Sequence, residues 1–165
     1  RVRSSAASDV YKRQVLKMLF PKSADNNYLG YKFVFYAFIP FLLLMTWRSV
    51  IHMSFEEFGL HGIANVKVLT GTPDPMPLIY AFFSAWGLVQ LIFCAFAWIV
   101  VIKYKSLTPL IILAFLIEWS VRVLNSSPIV NDPIYSDGIT PGMVYAPYMA
   151  LFLFLLFVFS LIKKN

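Results

Sequence analysis

The sequence is short of charged residues. Only 13% of its 165 residues are Asp, Glu, Lys or Arg, whereas 59% are hydrophobic and 18% are aromatic. A typical soluble domain is about 25% charged, so this chain has too little polar surface to cover itself in water. The composition excludes an ordinary soluble domain and favours a membrane protein that is embedded in the lipid bilayer as its main partner.

Cysteine is nearly absent too, and recognisable catalytic motifs are missing. The single cysteine, Cys94, excludes an internal disulfide and a cysteine-based metal cluster, and we expect it to be a packing residue. No Ser-His-Asp pattern, phosphate-binding loop or haem motif occurs, so we predict no catalytic residue and no cofactor. His52 and His61, even with Glu56 four residues after His52, are too sparse for a predicted metal site.

Much of the net charge of +6 comes from the first fourteen residues. Residues 1–14 carry four basic side chains and one acidic side chain, and they resemble translated sequencing-adapter read-through. We interpret residues 1–14 as a scar and residues 15–165 as a single membrane domain. The rest of the chain has no basic patch interleaved with exposed aromatic residues, which excludes nucleic acid as a predicted partner.

Four long apolar runs define the predicted architecture. They cover about residues 31–53, 78–102, 107–124 and 143–162. Each is close to the roughly 20 helical residues that cross a hydrocarbon core of ~30 Å. The sequence therefore predicts an all-α, polytopic membrane protein in which four transmembrane helices form one bundle.

The charges between these runs alternate in sign. The loops 54–77 and 125–142 together carry five acidic residues and one basic residue. The segment before the first run, the connection between the second and third runs, and the tail are basic. They contain one acidic residue, Asp25, and seven lysines: Lys17, Lys22, Lys32, Lys103, Lys105, Lys163 and Lys164. Because basic residues concentrate on the cytoplasmic side of membrane proteins, we predict a multi-pass protein with both termini in the cytoplasm.

Five ionisable or amide side chains lie well inside the apolar runs. Arg48 and His52 lie in the first run, Gln90 in the second, and Glu118 and Arg122 in the third. A charged residue at the bilayer centre costs at least about 2.5–3.5 kcal/mol. The spacing of four places each pair on one helix face, and all four paired residues fall in the predicted outer half. We predict a cluster with Glu118 between Arg48 and Arg122, and with Gln90 and His52 at its edges.

Two interpretations of this cluster stay open. It is a ligand-binding or proton-handling site, or it is structural, with Arg122 and His52 reaching the headgroups near the helix ends. The tryptophans Trp47, Trp86, Trp98 and Trp119 are interpreted as interfacial anchors or packing residues. The small residues Gly87, Cys94 and Ala97 form a stripe with Gln90 that favours close helix packing.

Three segments carry a family resemblance. Residues 47–52, 86–91 and 103–110 resemble parts of uncharacterised bacterial four-helix membrane proteins. The long first outer loop and very short second loop resemble the DoxX-like group, over most of residues 31–162 and mainly in topology. The resemblance implies a four-helix bundle in the bacterial inner membrane with a role near respiration or the cell envelope, and it carries over no catalytic residue.

The predicted function is that of a small integral membrane protein rather than an enzyme. We expect a binding, accessory or transport-associated component whose outer polar cluster holds a ligand or a partner. The alternative is a membrane enzyme or redox partner acting on a lipid or quinone. Four helices cannot easily enclose a wide pore, so transport would require a homo-oligomer or another membrane partner.

Overall fold

The computed structural model describes residues 12–125 and 131–163, and these residues are predominantly helical. The four main helices are α1 (Lys32–Ser54), α2 (Met76–Lys103), α3 (Thr108–Leu124) and α4 (Ala146–Ser160). Three shorter elements connect them: a π-helical turn (Phe58–Ile63), a 3-10 turn (Lys105–Leu107) and a helical turn (Pro141–Val144). Residues 12–19 are also helical, whereas residues 1–11 of the predicted scar lie outside the described residues.

Three helical segments are long and apolar enough to cross a membrane. They are Lys32–Ser54 with 23 residues, Met76–Lys103 with 28, and Lys105–Leu124 with 20, the last combining the 3-10 turn with α3. At about 1.5 Å per residue, each covers roughly 30 Å or more. The prediction of a helical protein with several membrane-compatible helices is therefore confirmed.

The fourth apolar run is shorter than predicted. It was expected over residues 143–162, but α4 extends only over Ala146–Ser160, and Tyr145 separates it from the turn Pro141–Val144. Pro147 lies in the first turn of α4. A proline has no N–H, so Pro147 cannot donate the helical hydrogen bond to the Met143 carbonyl oxygen, and the helical run is interrupted at Tyr145.

Proline does not break the first helix. Pro40 lies inside α1, and the helix extends on both sides of it. α1 continues to Ser54, and the following helical turn begins at Phe58 without a side-chain cap. The backbone itself continues the helical hydrogen bonding, since the Phe55 N–H donates to Ile51 and the Gly59 N–H donates to Phe55.

The helices pack as two hairpins that share one core. α1 packs extensively along α2, and α3 along α4, whereas the backbones of α2 and α3 have little contact. The small-residue stripe of α2 is buried as predicted. At Gly87, an added Cβ would lie 2.5 Å from the Met53 backbone nitrogen, so glycine allows α1 and α2 to approach closely.

Aromatic side chains fill the middle of the core. Phe38 and Phe115 are fully buried, and Phe41 packs edge-on against Phe115 with ring centroids 5.2 Å apart. Phe93 of α2 reaches Phe115 of α3 with a centroid distance of 4.4 Å. Large rings therefore join α2 to α3 where the two backbones stay apart.

The two ends of the molecule differ in construction. At one end, which we call the capped end, the loops 55–75 and 131–140 meet, and Val66 and Ser136 form an antiparallel bridge. Further hydrogen bonds between these loops join Lys67 to Tyr135 and Pro133, Asn65 to Asp137 and Ile139, and Thr140 to Ala64. The capped end is thus a folded cover over the helices.

The opposite end, which we call the terminal end, holds the first and last described segments. Asp25 and Ser106 exchange backbone and hydroxyl hydrogen bonds of 2.9–3.1 Å, which ties the segment before α1 to the α2–α3 connection. The rings of Tyr31 and Phe159 pack edge-on at 6.4 Å. Both described ends of the chain and the short connection therefore lie together.

Candidate functional site

The predicted polar residues form a chain of hydrogen bonds across three helices. Arg48 of α1 donates from Nη1 to Oε1 of Gln90 on α2 over 3.2 Å. Gln90 donates in turn from Nε2 to Oε1 of Glu118 on α3 over 3.4 Å. Arg122 donates from Nη2 to the same Glu118 oxygen and forms an ion pair with it. We call these four residues and His52 the polar cluster.

The order within the polar cluster differs from the prediction in one respect. Glu118 does lie between the two arginines, but Gln90 lies at the centre and not at the edge. An amide carries both a donor and an acceptor, so it links the guanidinium of Arg48 to a carboxylate that Arg48 does not contact directly in the described structure. Gln90 is only 7% exposed, which makes this pairing necessary for its burial.

Trp86 is the residue of this site that the sequence did not identify. The guanidinium carbons of Arg48 and Arg122 lie 5.0 and 5.2 Å from the centre of its ring. The His52 ring stacks on it at 5.0 Å with an angle of 28°. Trp86 precedes Gln90 by four residues, so helical spacing places the two on one face. This spacing could have predicted that Trp86 belongs to the site. Cation–π contacts of this kind stabilise arginines outside water.

His52 is buried but not fully hydrogen-bonded. It is 5% exposed, and its Nδ1 has no hydrogen-bond partner among residues 12–125 and 131–163. Its ring is held between Trp86 and Phe83, whose centroid is 4.5 Å away. The close approach of α1 to α2 at Gly87 sets this position, since a Cβ there would lie 2.8 Å from the His52 Cβ.

A cavity of about 280 Å³ lies beside the polar cluster, beneath the capped end. Arg48, His52, Arg122 and Trp86 line its helical side. The π-helical turn and the segment 140–143 supply its cover, and the apolar side chains in its wall are Leu60, Ile63, Ala64, Val66, Phe83, Pro141 and Met143. The cavity therefore combines one cationic region with an apolar lining.

The described charges at this site do not cancel. Arg48 and Arg122 contribute two positive charges and Glu118 one negative charge, which leaves a formal charge of +1. The side chains of Arg122 and Glu118 are 19% and 30% exposed. Guanidinium groups bind carboxylate and phosphate oxygens well because their N–H donors form a planar fork. The arrangement can thus accept an anion from the cavity side.

The other predicted candidates have different environments. Both ring nitrogens of His61 are engaged, with Nδ1 lying 2.5 Å from the Val66 carbonyl oxygen and Nε2 lying 2.7 Å from the Tyr80 hydroxyl. Within the part of the chain that the structure describes, no group of three or more His, Cys, Asp or Glu side chains could hold a metal ion. His61 instead fastens the first loop of the capped end to α2.

The tryptophans divide between the two predicted roles. Trp47 is 54% exposed, as an interfacial or lipid-facing residue would be, whereas Trp119 is 5% exposed in the core. Trp98 donates from Nε1 to the Thr46 hydroxyl over 2.9 Å and so joins α2 to α1.

Comparison with known proteins gives no family assignment. No protein-family model, curated protein or solved structure matches the chain. The resemblance to the DoxX-like group therefore stays a prediction. The cavity and the residues around it are the features that indicate a function.

Proposed function

We propose that this chain is a four-helix transmembrane protein of the bacterial inner membrane, with both termini in the cytoplasm, that binds a small ligand in the outward-facing cavity at its capped end. In this proposal the protein is a non-enzymatic binding, accessory or transport-associated component. The polar cluster holds the ligand and does not change it chemically.

Four crossings are supported by the length of the last apolar segment and by the positions of the ends. The turn Pro141–Val144 and α4 together cover residues 141–160, which at about 1.5 Å per residue is close to the ~30 Å of a hydrocarbon core. The segment before α1 and the end of α4 also lie together at the terminal end. An even number of crossings accounts for this arrangement.

The charges at the two ends support the orientation. Lysines dominate the terminal end and the α2–α3 connection, whereas the loops of the capped end carry mainly acidic residues. Since the excess of basic residues faces the cytoplasm, the terminal end faces inward and the capped end outward.

The cavity itself is the observation that carries the binding proposal. A space of about 280 Å³ adjoins the two arginines and the buried Nδ1 of His52. Ligand pockets usually enclose about 300–1,000 Å³ and combine an apolar lining with a few polar groups. The cavity lies just below that range in volume and has that composition.

Cysteine labelling tests the orientation. In a Cys94→Ala background, Asp137→Cys places a thiol at the capped end and Lys163→Cys places one at the terminal end. We expect a membrane-impermeant maleimide to label the cysteine at position 137 in intact cells, and the one at position 163 only after permeabilisation. The reverse pattern, or labelling of both in intact cells, would overturn the proposed topology.

Native mass spectrometry of the purified protein tests the ligand. We expect one small molecule bound per chain, and its loss in Gly142→Leu. Gly142 lines the cavity, and a Cβ there would meet nothing within 4 Å, so we expect a leucine side chain at this position to extend into the open space and occupy part of the cavity. Met143→Leu is the matched control, because it keeps the apolar wall.

The same spectra separate the two function classes. Equal binding in Gly142→Leu and wild type, or no bound molecule in either, would contradict a ligand in this cavity. A bound quinone would overturn the non-enzymatic proposal in favour of a redox partner.

A further inference from the structure

We infer that the ligand of this cavity is a small amphiphile with a headgroup of one negative charge, a carboxylate or a phosphate diester, whose oxygens lie between Arg48 and Arg122. Its apolar part lies along the wall formed by Leu60, Phe83 and Met143. This inference rests on the proposed function and specifies the chemistry of its ligand.

The polar groups of the cavity wall are hydrogen-bond donors. Arg48 and Arg122 carry donors only, and both line the cavity. Trp86 also lines the cavity, and its indole N–H is a donor only. The hydroxyl of Thr140 donates to the Ala64 carbonyl oxygen over 2.8 Å. A ligand group that fits this wall must therefore accept hydrogen bonds, as the oxygens of an anion do.

His52 adds a further polar atom to the same wall. Its Nδ1 is unsatisfied within the described residues, on a ring that is 95% buried and lines the cavity. A buried polar nitrogen without a partner is unfavourable, because its lost contact with water is not replaced. In the tautomer that carries the proton on Nδ1, His52 donates a hydrogen bond to a ligand oxygen, so a polar acceptor is favoured over an apolar group at this position.

The formal charge of the polar cluster points to a single negative charge. Two arginines and Glu118 leave +1 among the described charged residues, and none of the described carboxylates lines the cavity. One ligand anion brings this total to zero. A ligand cation would raise it to +2 in a site partly shielded from water, where repulsion between like charges is strong.

The rest of the cavity limits the size and polarity of the ligand. Its wall is otherwise apolar, with Leu60, Ile63, Val66, Phe83 and Met143 among its members. Its volume of about 280 Å³ is roughly that of nine water molecules at ~30 Å³ each in the liquid. Because groups inside a protein pack more densely than in a liquid, this is room for about ten to twelve heavy atoms. A medium-length alkyl carboxylate fits this space, and a whole phospholipid does not.

Equilibrium dialysis of labelled decanoate tests the inference directly. The protein is held in phosphatidylcholine nanodiscs, and empty nanodiscs correct for partition into lipid. We expect one saturable site per chain that is absent from Gly142→Leu. Unlabelled decanol and decyltrimethylammonium should compete at least tenfold more weakly than decanoate, and acetate should also be weak because it lacks the apolar part.

Charge variants locate the anion. Arg48→Gln and Arg122→Gln should each weaken decanoate binding at least tenfold, whereas Lys103→Gln, an equal loss of charge at the terminal end, should change nothing. If Arg122→Gln does not fold, Arg122→Lys keeps the charge but loses the planar fork, and it should still weaken binding measurably. Equal effects of Lys103→Gln and Arg48→Gln would overturn the assignment, because they would indicate non-specific attraction.

The failure of this inference is distinguishable from failure of the proposed function. If decanol or decyltrimethylammonium binds as well as decanoate and Gly142→Leu abolishes that binding, the anionic headgroup is wrong but the ligand cavity stands. If Gly142→Leu changes the binding of no probe, and no co-purified molecule depends on the cavity, both proposals fail.

Discussion

The middle of the helix core and its capped end are built from the same helices but differ in how they fill space. In the middle, Phe93 and Phe115 bridge α2 and α3 with ring centroids 4.4 Å apart, and Phe38 is fully buried. At the capped end, Arg122 and Trp86 occupy the corresponding positions between α3 and α2, and a cavity of about 280 Å³ remains. Aromatic side chains fill the space between the two hairpins in the middle of the core, whereas a cavity remains beside the polar cluster.

This difference has a physical basis in the bilayer. Lipid tails are as apolar as the side chains, so helices associate through close packing and interhelical hydrogen bonds and not through a hydrophobic driving force. The aromatic region supplies packing. The polar cluster supplies few packed surfaces, and burial of its charges is costly unless they are fully paired. We therefore expect the aromatic region to carry stability and the polar cluster to carry binding.

The largest stability effect is predicted for the aromatic region. Phe115→Ala should lower the free energy of unfolding by about 2–3 kcal/mol, below the ~3–5 kcal/mol of soluble cores because part of the transfer cost is missing in lipid. Unfolding in mixed micelles measures it. Phe96→Ala is the matched control, since Phe96 is 62% exposed and faces away from the core. Similar losses in both variants would contradict the central role of the aromatic region.

A smaller effect is predicted at the α1–α2 contact. Gly87→Ala places a Cβ 2.5 Å from the Met53 backbone nitrogen, so α1 must shift, at a cost of about 1–2 kcal/mol for an overpacked site. Because His52 lies at this contact, decanoate binding should weaken as well. Gly142→Ala has open space for its methyl group and should leave the unfolding midpoint unchanged.

The smallest effect is predicted in the cover of the capped end. Asn65 has a positive φ of 58° and donates to the Ile139 carbonyl oxygen over 2.9 Å. Asn65→Ala loses this bond in a left-handed conformation, so local opening should become easier by about 1 kcal/mol. Hydrogen exchange at the Lys67 amide, which donates to Tyr135, should then accelerate about fivefold. Asn65→Gly should have a smaller effect, since glycine tolerates this φ.

If exchange at Lys67 stays unchanged in Asn65→Ala, the two loops are held together by other contacts and the cover is stiffer than described. If Asn65→Ala lowers the free energy of unfolding of the helices as much as Phe115→Ala does, the capped end and the aromatic region form one cooperative unit. That result would contradict their separation.

Most of the helical architecture follows from the length and polarity of the apolar runs. α1, α2 and α3 begin and end within a few residues of the predicted bounds. The fourth run was predicted as one helix, but Tyr145 divides it into the turn Pro141–Val144 and α4, since Pro147 has no N–H to continue the helical hydrogen bonding.

The site could be anticipated in composition but not in geometry. Polar and charged side chains are unfavourable in a bilayer unless they are paired. On this basis the sequence alone predicted a cluster of Arg48, His52, Gln90, Glu118 and Arg122. The sequence did not show that Gln90 links two charged groups or that Trp86 lies beside both arginines. These contacts depend on how the two hairpins pack against each other. The periodicity of a single helix does not predict that packing. The cavity arises in the same way, from a cover formed by distant loops.

The most direct test of the account is decanoate binding to Glu118→Gln in nanodiscs. Glutamine keeps the shape and the acceptor oxygen that Gln90 and Arg122 bond, but it raises the formal charge of the polar cluster from +1 to +2. If the cavity binds an anion, the affinity should increase about tenfold, or about 1.4 kcal/mol, a modest part of a Coulomb energy at an effective dielectric constant of ~20. Unchanged or weaker binding by a folded Glu118→Gln protein would contradict an anion site and leave the polar cluster a structural feature of the bundle.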